Sequence, residues 1–366
     1  MSKQKALSLL QKEFKGVFRS DFGDPKPIEV ISTGSLIVDK VTGIGGIPKG
    51  RITEIVGNES VGKTTLALSV AKNAQKQGLT IAYLDYEHSL DPDYVKALGI
   101  DTKNDTFLVF QPNDLEEGDH IVNEVLLPNQ AADLIIIDSI AAMNPRELFE
   151  KTSDQTLTIG AQARGINKFL LKATKLLNEN NITMLVVNQL QTKISTGFGP
   201  MSGPQEESKG GKALRYYKSL ALNFTRIGSG KGTAFNEITG KNEQMEIYNK
   251  VKVKCTKNKV ASPFKTGELY VRFGLGFDNS LSLLEGGSAT GVVQKSGTTY
   301  SYQGTKIGAG LDAAARALNK PEMKKVYDDI VANLKWDAIA VKSMPTVEES
   351  EDQDINPEDL VLTEVE

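Results

Sequence analysis

Residues 57–65 read Gly57-Asn58-Glu59-Ser60-Val61-Gly62-Lys63-Thr64-Thr65, a glycine, four residues, then Gly-Lys-Thr. That spacing suits a loop that holds a polyphosphate. The glycines let backbone N–H groups turn inward, and concave runs of amides attract anions. Lys63 brings a point charge to the β- and γ-phosphate oxygens. Thr64 offers a hydroxyl to a Mg²⁺ ion, which keeps water and phosphate oxygens as its other ligands. A glycine turn can match such a pattern by chance, but here the flanks agree. Ile52–Val56 reads as a short apolar-rich strand, and Leu66–Ala71 opens a helix whose N-terminus faces the phosphates.

In an open α/β sheet, ligands collect at the carboxyl ends of the strands, so polar residues that end apolar runs are the next candidates. Asp138 ends Leu134–Ile137 and is expected to hold the water shell of Mg²⁺ beside Thr64. Asp85-Tyr86-Glu87-His88 ends Ile81–Leu84. Hydrolysis needs a carboxylate that polarises a water in line with the γ-phosphate; Glu87 is the better candidate, and spacing leaves Asp85 open. Asn188-Gln189 ends Met184–Val187, where a neutral amide could sense the γ-phosphate and begin a movable loop.

These groups need a scaffold. From Thr33 to about Pro263, short apolar runs (Ile81–Asp85, Phe107–Phe110, Leu134–Asp138, Met184–Asn188) alternate with helical stretches such as 161–178. Continuous apolar strands between helices predict an α/β fold, a mostly parallel sheet covered on both faces. Leu220–Phe224 and Val251–Cys255 alternate and read as edge or antiparallel strands. Residues 151–160 and 191–211 read as mobile loops. At the N-terminus, 3–19 predicts an amphipathic helix with Leu7, Leu10, Phe14, Val17 and Phe18 on one stripe, followed by a strand at Ile28–Ile31. This pair is too small for its own core and must dock on the same chain or on a neighbouring subunit. Beyond Pro263 a smaller mixed unit runs to about Trp336, with a strand-turn signal at Tyr300–Gly304 and a helix at 311–318.

The chain has 366 residues, 39% hydrophobic and 24% charged, the composition of a soluble globular protein. No window approaches 18 uncharged apolar residues and the N-terminus has no signal-peptide pattern, so no membrane partner and a cytoplasmic location are expected. The one cysteine, Cys255, excludes an internal disulfide, and His88 and His120 cannot build a His-rich metal site with it. Net charge is −3, yet residues 348–366 hold nine acidic and no basic residues. Without those nine, 37 of the 46 acidic residues face 43 basic ones, leaving a body of +6. A basic body with an acidic, disordered tail points to a polyanionic partner.

In this order the residues resemble the bacterial RecA recombinases and their phage-encoded relatives. The resemblance runs from about Ile31 to Lys320. It rests on Ser32–Leu36, Gly45–Arg51, the phosphate loop, Glu87–Pro92, Asp138–Ala142, Asn188-Gln189, Gly210–Tyr217, Lys257-Asn258-Lys259 and Tyr300-Ser301-Tyr302. It implies a P-loop ATPase core at 33–263, a subunit-docking element at 1–32, a small α+β domain at 264–336 and a tail at 337–366. It further implies that Glu87 is the catalytic glutamate, Gln189 the γ-phosphate sensor, and Asp91 and Tyr94 the adenine contacts. Lys257 and Lys259 would reach the ATP of the neighbouring subunit, with Tyr216 at that interface. The stretches near 151–160 and 191–209 would be two DNA loops, with Arg164, Lys193, Ile194 and Phe198 at contact positions. Asn58, Val61 and Tyr86 depart from the family pattern without removing a phosphate ligand. The first loop lacks the family's glycines, and the second carries Gln191, Glu206 and Glu207.

The expected activity is therefore DNA-dependent ATP hydrolysis with ATP and Mg²⁺. The protein would form a homo-oligomeric helical filament on single-stranded DNA and exchange strands with duplex DNA. Mediator proteins or a repressor are further candidate partners. The alternatives are a ring-forming helicase on the same core and a nucleotide-gated DNA-binding or coprotease regulator. The N-terminal docking strand and Lys257-Asn258-Lys259 argue against the ring.

Overall fold

Ile52–Gly57, six consecutive buried residues, forms the middle of the main sheet. The computed structural model describes residues 3–13, 27–150, 160–194, 204–208, 211–236, 240–334 and 336. From one edge the strands run Gly276–Phe277, Thr266–Arg272, Lys241–Asn258, Leu220–Asn236, Ile52–Gly57, Thr183–Ile194, Leu134–Asp138, Ile81–Asp85 and Phe107–Phe110. The six from Leu220–Asn236 to Phe107–Phe110 are parallel neighbours. Their apolar runs are continuous because helices cover both faces. Leu66, Leu68 and Val70 of the helix Lys63–Lys76 pack on one face. Ile166, Phe169 and Leu170 of the helix Ala161–Glu179 pack on the other. This arrangement sets the strand ends at Gly57, Asp85 and Asp138 level with Gln189 of the longer strand Thr183–Ile194.

Three details differ from the sequence expectation. Leu220–Phe224 is interior rather than an edge: it runs parallel to Ile52–Gly57 on one side and antiparallel to Lys241–Asn258 on the other. Leu220, Leu222 and Phe224 enter one face of the core while Ala221 is buried on the opposite side. Val251–Cys255 is antiparallel as expected and also interior. Part of the stretch 191–211 forms strands, because the strand Thr183–Ile194 outruns its neighbours and Pro204–Ser208 folds back along it, from Leu190↔Ser208 to Ile194↔Pro204. Residues 195–203, 209 and 210 lie outside the described residues, as do 151–159. Finally, Thr266–Arg272 pairs with Tyr248–Lys254 over seven residues and Gly276–Phe277 pairs next to it. The main sheet therefore passes the expected boundary at 263/264, since Leu269 and Val271 belong to its core.

The smaller unit starts at Asp278, whose side chain accepts from Leu281 N and caps the helix Asn279–Ala289. The strand-turn signal at Tyr300–Gly304 is a hairpin of Thr299–Tyr302 with Thr305–Ala309. Its two turn residues, Gln303 (φ 47°) and Gly304 (φ 80°), both take the left-handed conformation that matches strand twist. Arg272 links this unit to the sheet through Asp278 at 2.8 Å and Asp312 at 2.7 Å.

At the N-terminus the described helix is Lys3–Glu13, with Leu7, Leu9 and Leu10 exposed. Residues 14–26, with Phe14, Val17 and Phe18, lie outside the described residues. The strand is shorter than expected, Val30–Ile31, and pairs with Ile47–Pro48 of its own chain. The tail 337–366 also lies outside the described residues. Among the described residues no helix is long and apolar enough to cross a membrane.

Candidate active site

The phosphate loop links the central strand directly to the helix Lys63–Lys76. Two of its glycines have visible causes. A Cβ on Gly57 would lie 2.4 Å from Phe224 O on the adjacent strand, so only glycine lets the two backbones approach. Gly62 has φ 91° and would press a Cβ against Val271 at 3.0 Å. Val61 is buried beneath the loop, and Asn58 O accepts from Lys63 Nζ at 2.6 Å. Burial lowers the Lys63 ammonium below its ordinary value, while Asp138, Glu87 and Glu59 pull it back up.

A cavity of about 400 Å³ opens over this loop. Of the expected residues, Glu59, Ser60, Gly62, Lys63, Thr64, Thr65, Glu87, Tyr94, Asp138 and Gln189 line it. Thr64 Oγ1 donates to Asp138 Oδ2 at 2.8 Å. Both are hard oxygen donors, and side by side on a phosphate-binding cavity they fit Mg²⁺. Burial raises the Asp138 carboxyl, hydrogen bonds from Tyr83 and Thr64 lower it, and Glu87 and Asp85 raise it further. Thr65 Oγ1 and the Tyr94 hydroxyl meet at 2.8 Å, which fixes the Tyr94 ring on the cavity wall.

Asp85 and Glu87 stand in different surroundings. Asp85 is buried and accepts from Ser89 N, Leu90 N and Gln111 Nε2, so it is committed to holding the turn. Glu87 faces the cavity and accepts on Oε1 from Ser139 Oγ at 2.5 Å and Gln189 Nε2 at 3.0 Å. Three strand ends thus converge on one carboxylate opposite Lys63.

Other expected residues stand elsewhere. Asp91 does not line the cavity; it accepts from Asp93 N at 2.8 Å and caps the helix Pro92–Ala97. Lys257 Nζ donates to Arg215 O at 2.5 Å and Lys259 Nζ to Tyr216 O at 3.2 Å. These lysines therefore sit at the carbonyl end of the helix Gly211–Tyr217, where cations are favoured, beside a Tyr216 that is 71% exposed. Arg164 is exposed on the first turn of Ala161–Glu179. Lys193 and Ile194 end the long strand Thr183–Ile194, and Phe198 lies outside the described residues.

Several groups at the site carry no sequence signal. Tyr83 donates to Asp138 Oδ2 at 2.7 Å, yet in the sequence it is one apolar residue of a buried strand. Val271, Phe273 and Gly274 wall the cavity and come from the antiparallel wing, some 200 residues along the chain. Glu54, fully buried behind the loop, holds Lys218 and accepts from Asn188 Nδ2 at 2.7 Å.

Comparison with known proteins agrees with this architecture. Residues 2–278 match the family model for the RecA N-terminal domain and residues 282–335 that for the RecA C-terminal domain. The chain is 40% identical over 332 residues to "Protein RecA" of Saccharopolyspora erythraea and likewise to that of Rhodococcus jostii, covering 90% of each chain in both cases. To "Protein RecA" of Streptomyces venezuelae it is 38% identical over 341 residues, 91% of this chain and 85% of the relative.

Proposed function

The chain belongs to the RecA family, and from that premise we propose how its own residues run the ATP cycle of a recombinase. It is a DNA-dependent ATPase that binds ATP and DNA, assembles into filaments and acts in homologous recombination. The observation that carries the residue assignment is the convergence of Ser139 and Gln189 on Glu87 Oε1 across the cavity from Lys63 and Thr64.

In this reading the loop amides and Lys63 hold the β- and γ-phosphates, and Tyr94, Phe273 and Gly274 enclose the base. Thr64 and Asp138 would hold Mg²⁺, whose charge would offset that of the phosphates. Glu87 orients the attacking water. Gln189 Nε2 helps to hold the Glu87 carboxylate, and a γ-phosphate oxygen is a second acceptor that would draw the same amide group toward the nucleotide. Its strand continues into Lys193 and Ile194, so the choice of acceptor is felt at a DNA-binding segment. Arg164 contacts phosphates from the other side. Affinity for single strands then comes from backbone contacts and falls with salt. Lys257 and Lys259, beside the exposed Tyr216, act on the ATP of an adjacent subunit. The exposed Leu7 and Leu10, one turn apart on the N-terminal helix, offer an apolar stripe for the same assembly.

The test is electron microscopy with single-stranded DNA and a slowly hydrolysed ATP analogue, using wild-type protein and Glu87→Gln. Helical filaments from both, persistent with ATP only in the variant, are expected; rings or monomers overturn the reading.

A further inference from the structure

Between the nucleotide site and Arg164 lies one side chain that nothing above has used. The strand Leu134–Asp138 delivers Asp138 and Ser139 to the site, and the chain then turns through Ile140–Ala142 to the buried Met143. Gln162, second residue of the helix Ala161–Glu179, reaches back to that turn. Its Nε2 donates to Ala141 O at 3.1 Å, to Met143 O at 3.1 Å and to Asn144 Oδ1 at 3.2 Å. Three acceptors around one atom identify it as the amide nitrogen, because the amide oxygen would face only like charge there.

This anchor does what the helix end does not do for itself. The N-cap is Gly160, with φ 78° and no side-chain cap. Two residues after Gln162, Arg164 N donates to Gly160 O at 3.0 Å, so the anchored turn is the turn that bears Arg164. At the other end of the path, Ser139 Oγ holds the Glu87 carboxylate. The helix is also seated closely here, since a Cβ on Gly165 would fall 2.8 Å from Leu115, whose N–H donates to Asn144 O.

We propose that Gln162 is a positioning residue that couples nucleotide binding to DNA binding. Any displacement of Ser139 that accompanies a change at Glu87 moves the carbonyls of 141 and 143, and Gln162 passes it to the turn that carries Arg164. The inference rests on the reading of Arg164 as a DNA contact. Coupling between two binding sites is reciprocal: each ligand must change the other's affinity by the same factor. An anchor with only a structural role changes stability or affinity and leaves that factor intact.

The experiment compares full-length wild type with Gln162→Met, which keeps length and loses the donor, and Gln162→Lys, which keeps donors. Affinity for a non-hydrolysed ATP analogue is measured with and without a single-stranded oligonucleotide, and oligonucleotide affinity with and without the analogue. In Gln162→Met the coupling factor is expected to fall roughly fivefold in both directions, the equivalent of one lost hydrogen bond. DNA-free analogue affinity stays at the wild-type value, the thermal midpoint falls modestly because the carbonyls of 141 and 143 lose their donor, and Gln162→Lys regains most of the coupling. An unchanged factor in Gln162→Met overturns the proposal, as does a loss of midpoint and DNA-free affinity that leaves the factor alone. Should Gln162→Met not fold, failure of a folded Gln162→Lys to couple overturns it equally. Arg164→Ala, measured alongside, tests the underlying reading separately: undiminished DNA affinity there removes Arg164 as a contact whatever Gln162 does.

Discussion

The Gln189 amide donates to Glu87 Oε1 at 3.0 Å although their strands are separated in the sheet by Leu134–Asp138. The intervening strand supplies Ser139 to the same oxygen. The carboxylate is therefore held from two sides while Asp85, two residues earlier, is spent on local backbone. Glu87→Gln should retain ATP and DNA binding and lose about 10²–10⁴-fold in DNA-stimulated turnover, the range of a lost general base. Asp85→Asn should instead lower the thermal midpoint, because the buried acceptor of Ser89 N and Leu90 N loses its charge. Normal turnover in Glu87→Gln would return Asp85 to candidacy.

Tyr83 controls a carboxylate that sequence alone assigns to Asp138 only. Burial raises the Asp138 carboxyl and the Tyr83 hydrogen bond lowers it. Tyr83→Phe removes a lowering contribution, so Asp138 should take up its proton at higher pH. The acid limb of ATP turnover should shift to higher pH, and the Mg²⁺ concentration for half-maximal rate should rise. A pH–rate profile that superimposes on wild type would show the hydroxyl to be without effect.

Tyr86 leaves its hydroxyl buried and without a hydrogen-bond partner among the described residues. That hydroxyl would lie 1.6 Å from a Cβ on Gly118. Tyr86→Phe should raise stability by about 1 kcal/mol, since an unpaired buried hydroxyl costs that much or more. Gly118→Ala should lower it by roughly 1–3 kcal/mol through overpacking. Adding Tyr86→Phe should recover part of that loss; strictly additive denaturation midpoints would mean that the two positions do not touch.

The lysine pair stands at the carbonyl end of the helix bearing Tyr216 and outside the cavity lining of its own chain. If Lys257 and Lys259 act on a neighbour's ATP, Glu87→Gln and the double change Lys257→Ala, Lys259→Ala should each be inactive. Mixed on DNA, some interfaces pair an intact Glu87 with intact lysines, so part of the activity should return, as for an arginine finger supplied in trans. Co-assembly without recovered turnover places the lysines' role within their own chain.

Deleting residues 345–366 should strengthen DNA binding, most of all for duplex DNA, because nine carboxylates compete with phosphate for a body of +6. The gain should shrink as salt rises. Coincident binding curves at low salt would assign the tail no such competition.

The sequence by itself carried the parallel core and the phosphate site. A Gly-x₄-Gly-Lys-Thr loop between strand and helix is local, so nine neighbouring residues specify it. Asp138, the Asp85–Glu87 segment and Asn188-Gln189 were legible because each follows an apolar run, and parallel strands bring such ends together whatever their order. Tertiary structure decided what depends on pairing over long separations. It separated the surroundings of Asp85 and Glu87, since only the folded turn shows that Asp85 accepts from backbone N–H groups while Glu87 faces the cavity. It carried the main sheet past Pro263, because Leu269 and Val271 gain burial only through their partner strand, and it thereby set Phe273 and Gly274 on the cavity wall. It also joined Gln162 to the turn after Ser139, a contact between a helix start and a strand exit. Periodicity reports the face on which a residue lies; the partner it meets across the core depends on how elements far apart in the chain pack together.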